Sequence, residues 1–588
     1  MMKTLKLIIP FLFFALLISS CKDHTNDNKS KTGITDSKWI NKKVYTTSAD
    51  GDTQNFSFTA SDDWSANSDK SWCVLNKKSG INGINSLSIT TSANTTKSTR
   101  IATITVGTKN HSSTTSFTIS QAPQNYKDKG YTALNQKVDT YLQEKYLWNN
   151  EYETLTRNYN QNYKDFLNKT LMSMTTNTLD KKFKNKNDSS LFSYIREKAY
   201  ISLTTSNILT RTTSSKYKRL TYSFGLFRLQ SSFSNAEKNK IKFYIKGVYK
   251  DSPASEAGFK RGIIITKING RRPTLSNYKN DYLSLIDPSS ISTVTIEDSK
   301  GKSYTLTSKA IYENPILCDT VHTTGSHIIG YLSYQAFDMG FNEELYNVFK
   351  KFKSKGVTDL ILDLRYNLGG YVKSANLMST FIAGSNCKNK VFESFRFNAT
   401  RMKDYSERPK DYFDYNKSDY LNESPSTVAL NLKKVYIIIS GSSYSASELV
   451  INALRGIDEN VILIGTTSGG KNVGMESTEI TYNGATYELY PITFQSYNAK
   501  GESNYSSGFN PNYKLDEANL KGDNYFDSLT DFGDITEPLY AKAATLITGN
   551  ISKRAKTRTT RNIHSMRSIT YTELSHPRLS GMIKINNE

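Results

Sequence analysis

The stretch "SGSSYSASELVINALRG", residues 440–456, places five serines ahead of an amphipathic run. A serine hydroxyl is a weak nucleophile at neutral pH and needs a base within hydrogen-bond reach. Histidine is the usual base, but the nearest histidines are His327 upstream and His564 downstream. Lysine is the remaining credible base, and Lys471 stands nearby in "TTSGGKNVG". To accept a proton it must be neutral, against an ordinary pKa of about 10.4. Lowering that by roughly three units costs about 4 kcal/mol, which desolvation in an apolar pocket can supply. Val473, Gly474 and Met475 bring little charge to such a pocket.

These groups need elements to hold them. "KVYIIIS" is a fully apolar strand that delivers its end to "GSSYS". Ala446, Leu449, Val450, Ala453 and Leu454 then line one face of a helix. A serine at such a junction lies at a helix N-terminus, where backbone N–H groups favour developing negative charge. Upstream, "IIGYLSYQAF" reads as a strand, Phe341 to Phe352 as a helix ended near Gly356, and "TDLILDL" as a buried strand. "RYNLGGYV" follows, a turn whose glycine amides can approach a tetrahedral oxyanion, and then the helix "KSANLMSTFIAG". "VILIG" closes a β-α-β unit, so the core is α/β with its site at the strand ends. Asp363, Arg365 and Asn367 read as residues that shape the glycine turn.

"DLRYNLGG", "SYSASELVINAL" and "GTTSGGKNVG" together resemble the signature segments of the C-terminal processing (tail-specific) serine protease family. The resemblance spans roughly residues 125–548. It implies a crotonase-like catalytic core with an inserted PDZ domain, Ser445 as nucleophile and Lys471 as general base. Gly369 or Gly370, with the Ala446 amide, would form the oxyanion hole. No cofactor or metal is implied. The sequence departs from the family where many members orient the lysine with a glutamine, a position held here by Met475. Glu448 and Glu476 are near in sequence, and Glu448 reads as a first-turn residue favoured by the helix dipole.

Residues 218–310 carry "YSFGLFRL" and "IKGVYKDSPASEAGFKRGIIITKINGRRP", which resemble a PDZ domain. That implies strand addition of an extended peptide, with Phe224, Gly225 and Leu226 at the carboxylate-binding loop. An architectural role, packed against the protease, is the competing reading. Residues 125–217 open with helical periodicity at Leu134, Val138, Tyr141, Leu142 and Tyr146, and are expected to form a helical subdomain framing a cleft. The Tyr-rich segment 404–420 reads either as a lid or as a surface excursion.

Residues 37–123 alternate apolar and polar positions in short runs split by Ser/Asn/Gly turns, the pattern of an antiparallel β-sandwich. "ASDDWSANSDKSWCVLNKKSG" and the closing "ISQAP" resemble the BACON domain, an immunoglobulin-like module. The resemblance implies either a glycan partner or a spacer, with Trp64 and Trp72 read as core. Residues 1–20 form a basic start and an apolar run, and "LISSC" resembles a lipobox that would attach lipid to Cys21. Residues 21–36 then tether the protein to a membrane of the cell envelope. The expected place is that of a Bacteroidetes-type outer-membrane lipoprotein, periplasmic or surface-exposed. Cys73, Cys318 and Cys387 form neither a disulfide framework nor a zinc pattern.

The 588 residues carry a net charge of +22, but the lysines are scattered among Asn, Ser and Thr, so nucleic acid is not an expected partner. Residues 549–588 are basic and read as a solvated, disordered tail. The expected multidomain architecture is thus a signal, a tether, a β-sandwich, a helical subdomain, a PDZ domain and a catalytic core over 311–548. The expected activity is hydrolysis of extended polypeptides near their C-termini through an acyl-enzyme. The rival is an inert cell-surface scaffold that binds peptide or glycan.

Overall fold

The computed structural model describes residues 33–35, 44–96, 99–109, 114–121, 130–185, 188–198, 218, 220–233, 240–286, 288, 291–517, 529–549, 567–569 and 581–584. The signal segment, Cys21 and most of the tether lie outside the described residues. The chain divides into two compact units, 1–129 and 130–588.

The first unit is a β-sandwich. One sheet runs in the order Ile34–Thr35, Asp52–Ala60, Gly83–Thr91, Cys73–Leu75. The other runs Val44–Thr47, Thr114–Gln121, Arg100–Thr108, Trp64–Ser68, Ser79–Gly80. The alternation read from the sequence is the burial pattern: Phe56, Phe58, Ala102, Ile104 and Val106 face one shared core. Trp64 is buried in it, whereas Trp72 only packs against its margin.

The second unit begins with helices α1 (Thr132–Lys145) and α2 (Tyr163–Ser173). Leu134, Val138, Leu142 and Tyr146 are fully buried. The expected helical subdomain over 125–217 is corrected past Ser173. Strand Tyr194–Glu197 pairs antiparallel with Ala485–Tyr490, and the helices share a core with Val473, Met475 and Ile492. The segment is therefore part of the wall behind the lysine strand.

An inserted β-subdomain follows, with strands β1 (Leu226–Phe233), β2 (Ile241–Val248) and β3 (Ile264–Ile268), helix α3 (Tyr278–Ile286), and strands β4 (Thr293–Asp298) and β5 (Ser303–Thr307). Its sheet order is β5-β4-β3-β2-β1, all antiparallel, with its own core around Phe243, Ile245 and Leu285.

The core opens with β6 (Ile316–Thr324) and β7 (His327–Tyr334), then α4 (Asn342–Ser354), β8 (Asp359–Asp363), β9 (Gly369–Tyr371) and α5 (Val372–Ala383). It continues through β10 (Val391–Arg396), β11 (Lys410–Tyr412), β12 (Lys434–Ile439), α6 (Ala446–Gly456) and β13 (Asn460–Gly465). Strands β14 (Val473–Glu476), β15 (Ile492–Tyr497) and β16 (Tyr513–Lys514) and helix α7 (Pro538–Thr548) complete it. The main sheet has the order β6-β7-β8-β12-β13-β16, parallel from β7 onward. Both faces are covered, which is why its strands read as continuous apolar runs. Val435, Ile437 and Ile439 point into the core that includes residues of α4, α5 and α6, and Tyr436 and Ile438 into the core that includes residues of α7.

The Tyr-rich segment 404–420 is neither lid nor loose excursion. Strand β11 pairs with β10, Phe413 is buried, and the Asp414 N–H donates to Asn376 Oδ1 at 2.9 Å. The tail 549–588, expected to be disordered, contains two strands whose backbone is described, β17 (Arg567–Ile569) and β18 (Gly581–Lys584). Strand β17 adds to β1, and β18 lies within a second core sheet of order β9-β18-β14-β15-β10-β11. Ladder pairing uses backbone amides, so a polar, basic composition does not forbid it.

Candidate active site

Strand β12 hands over to α6 at Ser445, which has φ 59° and ψ −109°. Such a backbone costs a non-glycine residue about 1–3 kcal/mol and persists only where the surroundings impose it. Neighbouring hydroxyls do the imposing. Ser440 Oγ donates to the Arg365 carbonyl, Ser443 Oγ to the Leu364 carbonyl at 2.6 Å, and Ser447 Oγ to the Asn367 carbonyl at 2.9 Å. Ser442 Oγ accepts from Arg228 at 3.0 Å. Of the five serines, the buried Ser445 Oγ is the one with no hydrogen-bond partner. The other four hydroxyls are all engaged in hydrogen bonds.

Glu448 ties this turn to the lysine loop. Its Oε2 accepts from the Ser445 N–H at 2.9 Å and from the Lys471 N–H at 2.8 Å. Its Oε1 accepts from the Gly470 N–H at 2.8 Å and from Ser468 Oγ at 2.5 Å. Ser445 and Lys471 are thus two hydrogen bonds apart through one carboxylate oxygen. Burial pushes the Glu448 pKa up, while the four donors favour the charged form. The sequence marks this glutamate as a first-turn residue but not as the link to a loop more than a helix away.

Lys471 is 3% exposed. Its Nζ lies 4.6 Å from the centre of the Phe192 ring and 3.9 Å from Met475 Sδ. Both neighbours are uncharged, and a thioether is a poor acceptor. Its charge is also felt by Asp180, which burial raises despite hydrogen bonds from Ser193 and Tyr146. Phe192 also packs edge-on against Tyr444, whose pKa burial pushes up to about 12. Glu476 holds Arg401 at 2.5 Å.

The glycine turn faces the same place. The Gly369 N–H donates to Asn367 Oδ1 at 2.8 Å, so that amide is engaged inside its own turn. Phe337 bonds the Gly369 carbonyl at 2.9 Å and the Tyr371 N–H at 2.7 Å. Strand groups alternate edges, so the Gly370 N–H and C=O face away from Phe337. A Cβ at Gly370, where φ is +139°, would sit 2.2 Å from the Phe337 carbonyl oxygen, so only glycine fits. Ala446 is the first residue of α6, beside Ser445.

In the inserted subdomain, Phe224 and Leu226 are buried, the Gly225 N–H takes Ser223 Oγ at 3.0 Å, and its carbonyl accepts from Tyr249. The Gly225 amide and carbonyl are thus both engaged within the subdomain. In the sandwich, the Arg100 guanidinium covers the Trp72 ring at 4.1 Å.

Comparison with known proteins bears on this arrangement. Peptidase family S41 matches residues 328–515, the stretch that holds Gly370, Ser445, Glu448 and Lys471. Residues 328–515 are a peptidase family S41 domain. Residues 38–122 match the viral BACON domain. Over 284 residues the chain is 25% identical to the carboxy-terminal processing protease CtpA of Bacillus subtilis (strain 168). A carboxy-terminal-processing protease of Bartonella bacilliformis is 26% identical over 286 residues. Each match covers 48% of this chain, and 55% and 59% of those proteins. The chain therefore spans a little over half the length of these relatives. A solved chain from Bacteroides fragilis NCTC 9343, designated an S41 protease, superposes with a TM-score of 0.54 at 23% identity, covering 73% of this chain and 99% of that one. This likeness supports the S41 fold.

Proposed function

We propose that the protein is a serine endopeptidase in which Ser445 is the nucleophile and Lys471 the general base. The observation that carries this reading is the single unpartnered hydroxyl at a strained strand-to-helix turn, pinned through Glu448 to a buried lysine. In the reaction, Ser445 Oγ attacks a peptide carbonyl and its proton passes to neutral Lys471. The oxyanion meets the N–H groups of Gly370 and Ala446 at the α6 N-terminus. Lys471 then protonates the leaving amine, the C–N bond breaks, and water hydrolyses the acyl-enzyme. Met475 takes the place of an orienting glutamine, so the lysine is positioned by packing on Phe192 and by its backbone bond to Glu448.

The substrate class is an extended polypeptide cut near its C-terminus, as the names of the two relatives indicate for those proteins. We read the core as crotonase-like and the inserted subdomain as a PDZ domain, supported by its antiparallel sheet and the helix α3 packed on β1. A lipid on Cys21 would place the enzyme at the cell envelope, with the sandwich as spacer or glycan-binding module. The test is cleavage of unfolded casein by the parent chain beside Ser445→Ala and Lys471→Ala. The reading expects cleavage by the parent and none above background by either variant. Equal cleavage by all three removes the dyad, and no cleavage by the parent favours the inert scaffold.

A further inference from the structure

The second core sheet contains a strand that does not belong to the catalytic segment. Strand β18 lies between β9, which carries Gly369 and Gly370, and β14, which follows Lys471. It runs parallel to both, with Gly581 opposite Gly369, Met582 opposite Gly370, Ile583 opposite Tyr371 and Met475, and Lys584 opposite Glu476. Without it, the glycine strand and the lysine strand would face each other across a gap one strand wide, each with an unpaired edge. Neighbouring strands sit about 4.8 Å apart, so the gap is the width of one extended peptide.

The register directs the backbone of β18 at Gly370. The Gly370 N–H and C=O face this gap, because Phe337 occupies the other edge. In a parallel ladder, a residue's N–H meets the carbonyl one before its opposite residue, and its C=O meets the amide one after. With Met582 opposite, the Gly370 N–H is directed at the Gly581 carbonyl and its C=O at the Ile583 N–H. A foreign peptide carbonyl would need that same N–H during attack by Ser445.

A second contact repeats the logic. Strand β1 is the edge of the inserted sheet, and β17 pairs with it antiparallel, Ser231 opposite Ile569 and Phe233 opposite Arg567. One stretch of chain thus adds a strand at two edges. Both are backbone-recognising seats of the kind that bind extended peptides.

We propose that strands β17 and β18, residues 567–569 and 581–584, are intramolecular peptide ligands of these two seats, substrate surrogates that an incoming polypeptide must displace. This rests on the peptidase reading for its consequence, but not for its occupancy. Binding of substrate is then weakened by the fraction of molecules whose gap is open.

The test uses the full chain and the substitution Ile583→Pro, which deletes the N–H that meets the Gly370 carbonyl. Occupancy is read by amide hydrogen exchange in chains that also carry Ser445→Ala, so no cleavage is involved. The expected result is faster exchange at residues 370 and 473–476 in Ile583→Pro, with the main sheet unchanged. Unchanged exchange there overturns the proposal whether or not the protein cuts anything. Function is read as casein cleavage with Ser445 intact, where Ile583→Pro should raise kcat/KM about tenfold, chiefly through KM. A fall in kcat/KM with a lower Tm would show β18 to be a permanent structural strand and overturn the proposal. If exchange rises but neither chain cleaves casein, the peptidase reading fails and the occupancy stands.

Discussion

At the scale of single residues, the candidate site is organised by a buried carboxylate whose four hydrogen bonds are all internal. Glu448 gathers two amides of the lysine loop, the amide of Ser445 and a serine hydroxyl. Replacing it with glutamine puts an NH2 group where only acceptors are wanted. Hydrogen bonds to a charged group contribute about 1.5–3 kcal/mol each, and the donors left behind would be buried. We expect Glu448→Gln to lower kcat about 100-fold with little change in KM, because the dyad is displaced while the peptide seat is intact. A matching loss in KM and kcat, or none in either, contradicts a positioning role. The strand, turn and helix that carry Ser445 and the loop that carries Lys471 were legible in the sequence. Glu448 was not, because its partners at 468–471 become neighbours only when β13 turns back beside α6.

At the scale of elements, a buried ion cluster joins the inserted subdomain to the core. Arg365, just past β8, pairs with Asp363 and Glu537, and with Glu517, which also holds Lys246 and Arg261. Glu537 in turn caps α7 by accepting from the Leu539 and Tyr540 amides. Burial alone would raise the pKa of Glu517, but Arg261, Lys246 and Arg365 overcome it and hold it well below 4.5. Glu537 is likewise lowered, burial being overcome mainly by Arg365. A depressed folded-state pKa means stability that is present above about pH 4.5 and lost as pH falls through the folded values. Thermal unfolding should therefore show Tm dropping steeply below pH 4.5. Glu517→Gln should cost about 3–5 kcal/mol at pH 7, by leaving buried cations unpaired, and flatten the acid limb. An acid limb unchanged in that variant contradicts this assignment. The strand and helix order around the cluster was readable from apolar runs. The cluster itself was not, because its charges come from positions spread between 246 and 537.

At the scale of the whole molecule, the chain divides after residue 129, near where the alternation of residues 37–123 gives way to helical spacing. Two expectations failed for a shared reason. The segment after Ser173 and the basic tail both contribute strands that pair with distant chain, and backbone pairing leaves little mark on side-chain sequence. The central claim is that a buried lysine activates Ser445. A serine-directed fluorophosphonate, with the adduct mapped by peptide mass, tests it most directly. The parent chain should be labelled on Ser445, with no label in Ser445→Ala, and Lys471→Ala should react at least about 100-fold more slowly while keeping its Tm. Labelling of Lys471→Ala at the parent's rate, or an adduct on another serine of residues 440–447, would contradict it.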